Sequence, residues 1–125
     1  MHRLAVVLVA AFSVGGVLAI AGWQAYAAED PAAASNASAV WSGGDAARGK
    51  QIFAANGCGW CHENTGRKAG RGPQLMNTPQ TDAFIADRIR HGKTGRMPAF
   101  GGSFKDDQIK DLIAFIRNIK PEGTQ

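Results

Sequence analysis

Cys58-Gly59-Trp60-Cys61-His62 is the stretch that decides the fold. Two thiols three positions apart lie on one face if the segment turns helically, and the imidazole follows beside them. Such a group can bond covalently to one rigid ligand at two points while a ring nitrogen reaches its centre, which is the attachment pattern of a c-type haem. A lone disulfide or a redox-active Cys-x-x-C pair is the competing reading of the same residues. Zinc fits poorly, because a closed tetrahedral site needs four Cys or His ligands and, past the N-terminal segment, only His91 remains outside the motif.

Both cysteines of the 125-residue chain belong to this motif, so none is left to staple a small core. A buried cofactor would supply the missing apolar contact. The length allows one globular domain. Met1-His2-Arg3 is a short positive start, followed by an apolar run from Leu4 to Ile20 and by Ala25-Tyr26-Ala27, a small-x-small cleavage pattern. Residues 1–27 therefore read as an export signal, with an uncleaved membrane anchor as the alternative. The expected compartment is the periplasm. Residues 28–42, rich in Ala and Ser, read as a flexible linker with a reach of about 20 Å. The folded domain is expected over residues 43–121, with 122–125 as a tail.

Within that domain, Asp45 is a helix N-cap candidate for Ala46 to Ala54. Gly49 weakens this first helix, and a close crossing by a second helix, with Phe53 one turn on in the same contact, would explain it. The partner is at the other end of the chain. Asp106 to Ile119 places Ile109, Leu112, Ile113, Phe115, Ile116 and Ile119 at helical spacing before Pro121.

Together these features resemble the class I c-type cytochromes, small electron carriers related to mitochondrial and bacterial cytochrome c. The resemblance covers about residues 45–119. It rests on the first helix with Gly49 and Phe53, on the Cys58 to His62 motif, on Gly72-Pro73, on Met97-Pro98, and on Leu112 with Phe115. It implies an all-α fold of three main helices, with loops wrapped around one covalent haem c held by Cys58 and Cys61. It also implies that the Pro73 carbonyl accepts a hydrogen bond from His62 Nδ1–H and that Leu75 packs on the haem. Read without the resemblance, Gly72-Pro73 is simply a turn.

Thr81-Asp82 caps a middle helix through Arg90, stopped by Gly92. Phe84, Ile85 and Ile89 are expected on its inner face, with Arg88 and Arg90 solvated. Met97 follows in a glycine-punctuated loop from Gly92 to Gly102, and Pro98 biases it away from helical angles. With the haem motif upstream, Met97 is expected to join His62 as an axial iron ligand, with Met76 and His91 as rivals. Such ligation fills both axial positions and implies one-electron transfer rather than catalysis. The alternative is a haem peroxidase or gas sensor with a labile distal ligand. Asn77, Gln80 and Arg71 are the candidate partners for the haem propionates.

Removal of residues 1–27 takes away Arg3 and leaves 13 basic against 10 acidic side chains. Arg67, Lys68 and Arg71 follow His62, while Lys93 and Arg96 flank Met97, so a basic rim is expected around the haem edge. The expected partners are redox proteins with acidic docking surfaces, such as a dehydrogenase, a quinol-oxidising complex or a terminal oxidase. Nucleic acid is not expected, and a membrane is a partner only through an uncleaved N-terminus.

Overall fold

The computed structural model describes residues 36 and 39–123, and among these it contains three α-helices and no strand. The expected signal and most of the expected linker lie outside the described residues. No helix among the described residues is long and apolar enough to cross a membrane.

Helix α1 spans Ala46–Ala55. Its N-cap Asp45 accepts from the N–H groups of Ala47 and Arg48 at 2.8 and 3.0 Å, and the amide of Asn56 closes the other end on the Ile52 carbonyl. Helix α3, Asp106–Arg117, begins with two acidic residues at the positive end of its dipole, and Gln108 accepts from the Lys105 N–H. Sequence spacing extends this helix to Ile119. It stops at Arg117 because Asn118 turns its side-chain amide back onto the Ala114 carbonyl, at 2.8 Å.

The two helices cross at Gly49, as the sequence predicts. A Cβ there would overlap the Asp111 carbonyl and lie 2.8 Å from the Phe115 Cβ. One turn on, the rings of Phe53 and Phe115 meet with centroids 5.2 Å apart. The apolar stripe of α3 fills the core, with Ile109 fully buried at its centre. One polar residue shares that buried face. Asp111, 4% exposed, accepts from the Asp45 N–H at 2.6 Å and from Arg48 Nε and Nη2 at 2.9 and 3.0 Å, which ties the start of α1 to the middle of α3.

Helix α2 spans Asp82–His91, capped by the Thr81 hydroxyl and ended by Gly92 at φ 67°. Ile85 and Ile89 are buried as expected, but three side chains of this helix depart from expectation. Phe84 is 42% exposed, because it stands at the wall of a cavity rather than in the core. Arg88 lies over its ring, 5.1 Å from the centroid, and is half-buried instead of solvated. Arg90 is also half-buried, since it pairs with Asp106 at 2.5 Å and covers the ring of Trp41.

Trp41 falls within the stretch that reads as linker, yet it is 9% exposed and packs in the core. Folded structure therefore reaches back past residue 43. A single tryptophan in an Ala- and Ser-rich run produces no periodicity to announce it.

Candidate functional site

Gly57 enters the motif with left-handed backbone, and Cys58–Trp60 form one turn of 3₁₀ helix. The Cys61 and His62 N–H groups both donate to the Cys58 carbonyl, at 3.3 and 3.0 Å. Side chains three apart eclipse one another in a 3₁₀ turn, so the tighter geometry still brings both sulfurs to one face. Cys58 and Cys61 are free thiols, half-buried, on the wall of one cavity. Burial pushes the Cys58 thiol above its ordinary range.

His62, 8% exposed, lines the same cavity. Its Nδ1 lies 2.7 Å from the Pro73 carbonyl oxygen. A carbonyl oxygen can only accept, so Nδ1 carries the proton and Nε2 keeps its lone pair for a metal. The backbone of Gly72 presses flat against the ring, and a Cβ there would lie 2.6 Å from Cε1. Further support comes from the Gly72 N–H, which donates to the Cys61 carbonyl at 2.9 Å. Leu75 also lines the cavity, held by its N–H on the Gly66 carbonyl.

Met97 is half-buried on the cavity wall. Its backbone exchanges two hydrogen bonds with Lys93, at 2.8 and 2.9 Å, and the following Phe100 and Gly101 N–H groups bond to carbonyls of α2. Neither rival reaches the cavity. Met76 packs against the core elsewhere, and exposed His91 pairs with Asp87 one turn back on its own helix, at 2.8 Å.

The cavity measures about 740 Å³, with Phe53, Ile85, Ile89, Leu112 and Ile116 among its apolar walls. That volume lies in the range of cofactor sites. Arg71, Arg88, Lys93 and Arg96 also line it, and among the described residues no carboxylate does. Two free thiols, an imidazole with its outer nitrogen protonated, a thioether, apolar walls and a cationic border fit a large flat apolar ligand that bears carboxylates.

The expected basic rim is smaller than the sequence implies. Arg67 is committed to the Lys120 carbonyl at 2.7 Å and Lys68 to Glu63 at 3.5 Å, and neither lines the cavity. Charge proximity in sequence does not reveal that a long side chain has a partner across the fold. Of the propionate candidates, Arg71 and Gln80 line the cavity and Asn77 does not. Two arginines, one on the cavity wall and one behind it, have no signal in the sequence. Arg88 reads there as solvated, and Arg117 donates to the Asp82 carboxylate and to the Thr78 and Gln80 carbonyls that edge the cavity.

Three helices folded around an apolar cavity, with a Cys-x-x-Cys-His turn on its wall and a methionine loop lining it, define a class I c-type cytochrome. The family model described as "Cytochrome C oxidase, cbb3-type, subunit III" matches residues 44–116. The chain belongs to that family. It is 36% identical over 81 residues to the cbb3-type cytochrome c oxidase subunit CcoP of Helicobacter pylori, which covers 59% of this chain and 28% of that protein. It is 33% identical over 85 residues to cytochrome c6 of Leptolyngbya boryana and 31% identical over 86 residues to that of Synechococcus elongatus. These cover 63% of this chain in each case, and 98% and 95% of the relatives. The chain thus spans under a third of the CcoP proteins and nearly all of these cytochromes c6. No solved structure gives a significant match. The cofactor that membership implies is haem c, covalently bound and carrying iron.

Proposed function

We propose that the chain is a one-electron carrier, with Cys58 and Cys61 as the points of haem attachment and His62 and Met97 as the axial ligands. When bound, the haem iron supplies reversible one-electron exchange between its ferrous and ferric states. The residues do the rest. Each thiol adds its S–H across a vinyl double bond, leaving a thioether and no other product. Pro73 holds His62 in the Nδ1–H tautomer, and the hydrogen bond to Nδ1–H raises the basicity of Nε2. Leu75 and the apolar walls exclude water from the cavity, and Met97 on its wall would hold the iron, leaving reactive small molecules no open site.

The observation that carries this reading is the 2.7 Å contact between His62 Nδ1 and Pro73 O, beside two free thiols on the same cavity as Met97. Purified holoprotein should keep its haem through acid–ketone extraction. Met97→Ala should leave haem attached but lower the reduction potential and open the ferrous protein to carbon monoxide. Extractable haem would remove the attachment assignment, and an unchanged Met97→Ala would remove the ligand.

The partners that fit are redox proteins with acidic docking surfaces, since Arg71, Lys93 and Arg96 are exposed at the cavity border. A terminal oxidase is one such partner, in keeping with the name of the CcoP relatives. The N-terminal 27 residues act as an export signal in this proposal and place the domain in the periplasm, where cleavage releases it or retention tethers it.

A further inference from the structure

Two glycines precede Met97 in its loop, and both have a positive φ: Gly92 at 67° and Gly95 at 70°. Their surroundings differ. A Cβ on Gly95 would meet nothing within 4 Å. A Cβ on Gly92 would overlap the Met97 carbonyl oxygen and lie 2.7 Å from the Pro98 carbonyl carbon and 2.8 Å from the Ala99 nitrogen.

Gly92 is also the C-cap of α2. Its N–H donates to the Arg88 carbonyl at 2.9 Å, and its own carbonyl accepts from Arg88 Nη1 at 3.1 Å. The next residue, Lys93, exchanges both of its backbone hydrogen bonds with Met97. The end of α2 and the backbone of Met97 therefore form one packed unit, with the helix held in the core through Ile85 and Ile89. If a methyl group is inserted at Gly92, the buried helix resists displacement and the loop moves instead. To restore ordinary contact the Met97 carbonyl must retreat by about an ångström. A functional side chain needs its geometry held to about half that distance.

We infer that Gly92 is a positioning residue for Met97, with Arg88 as its fastener: the absence of a side chain at Gly92 sets how closely the methionine backbone sits on α2, and so where the thioether stands in the cavity. The inference rests on the reading of Met97 as an axial ligand.

The test compares purified holoprotein with Gly92→Ala, Gly95→Ala, Arg88→Leu and Met97→Ala. Thermal unfolding, the thioether-to-iron absorption of the ferric state and carbon monoxide titration of the ferrous state are measured for each. Both glycine variants should lose stability, since alanine is disfavoured at a positive φ, and Gly92→Ala should lose more, because its ψ of −157° lies in a region essentially confined to glycine. Gly92→Ala alone of the two should also weaken the absorption and raise carbon monoxide affinity by about tenfold or more, whereas Gly95→Ala should stay within about twofold of the parent. Arg88→Leu keeps the contact with Phe84 but loses the donor to Gly92, and should shift both spectroscopic readouts in the same direction by less. Equal carbon monoxide affinity in the two glycine variants would overturn the inference. If Gly92→Ala does not fold, unchanged readouts in Arg88→Leu overturn it. An unaltered Met97→Ala instead overturns the ligand reading, and this inference with it.

Discussion

Asp111 shows at single-residue scale what a buried charge does for this small domain. It is nearly inaccessible, and the Arg48 guanidinium, with help from the Asp45 N–H, holds its carboxyl below the usual carboxylate range. The unfolded chain, with an aspartate pKa of about 3.9, then binds a proton more readily than the folded one. The stabilisation from Asp111 is fully present above about pH 4 and is lost as pH falls through the lowered folded value. Asp111→Asn should cost about 1–3 kcal/mol at neutral pH, because Arg48 loses its charged acceptor. It should also flatten the acid limb of the stability–pH curve. Urea unfolding of the holoprotein from pH 7 to pH 3 checks both, and an acid limb as steep as that of the parent would show that other carboxylates dominate it.

At the scale of elements, the α1–α3 crossing and the edge of the cavity each depend on one residue. Gly49→Ala puts a methyl group where the Asp111 carbonyl already stands, so the helices must separate or shear. Overpacking of this kind costs about 1–3 kcal/mol, occasionally more, and thermal unfolding should place this variant at or above the upper end. Arg117 works differently. From the last turn of α3 it holds Thr78, Gln80 and Asp82 together, so the loop entering α2 is fastened to the core helix. Arg117→Met should cost about 1 kcal/mol, as its guanidinium is partly exposed, and should speed amide exchange in residues 78–82 more than in α1. Uniform exchange across both regions would show that the loop needs no such fastening.

For the whole molecule, charge placement governs how the cavity border meets a partner. Among the described residues four cations and no carboxylate line the cavity, and three of the four are exposed. Encounter with an acidic redox protein should therefore slow about tenfold or more between low and high ionic strength, as steered association does. Charge reversal at Lys93 or Arg96 should slow stopped-flow electron transfer more than reversal at Lys120, which lies near the chain end and away from the cavity. Equal effects at the three sites would mean that docking relies on apolar contact instead. Trp60, 86% exposed between the two cysteines, is the most exposed large apolar side chain among the described residues.

Local chemistry is enough to read much of this protein. The Cys58 to His62 spacing, the Asp45 and Thr81 caps and the apolar period of α3 are short-range signals; both caps are found where the sequence places them, the motif turns as 3₁₀ helix, and α3 starts at Asp106 as expected but ends two residues short of Ile119. Gly49 is legible too, since a glycine inside a helix weakens it and a close crossing beside a core phenylalanine offsets that cost. What the sequence leaves open depends on partners distant in the chain. Whether Arg67 and Arg88 face solvent turns on Lys120 and on the ring of Phe84, and whether Asp111 is a surface charge turns on Arg48, 63 positions away. Trp41 carries no periodic neighbours, so only the packing against Arg90 and the core shows that it belongs to the domain. The choice of Met97 over Met76 and His91 at the cavity has the same origin. All three are chemically able, and the fold brings Met97 to the cavity wall, its loop bonded to the end of α2 through Phe100 and Gly101, while Met76 and His91 do not line it.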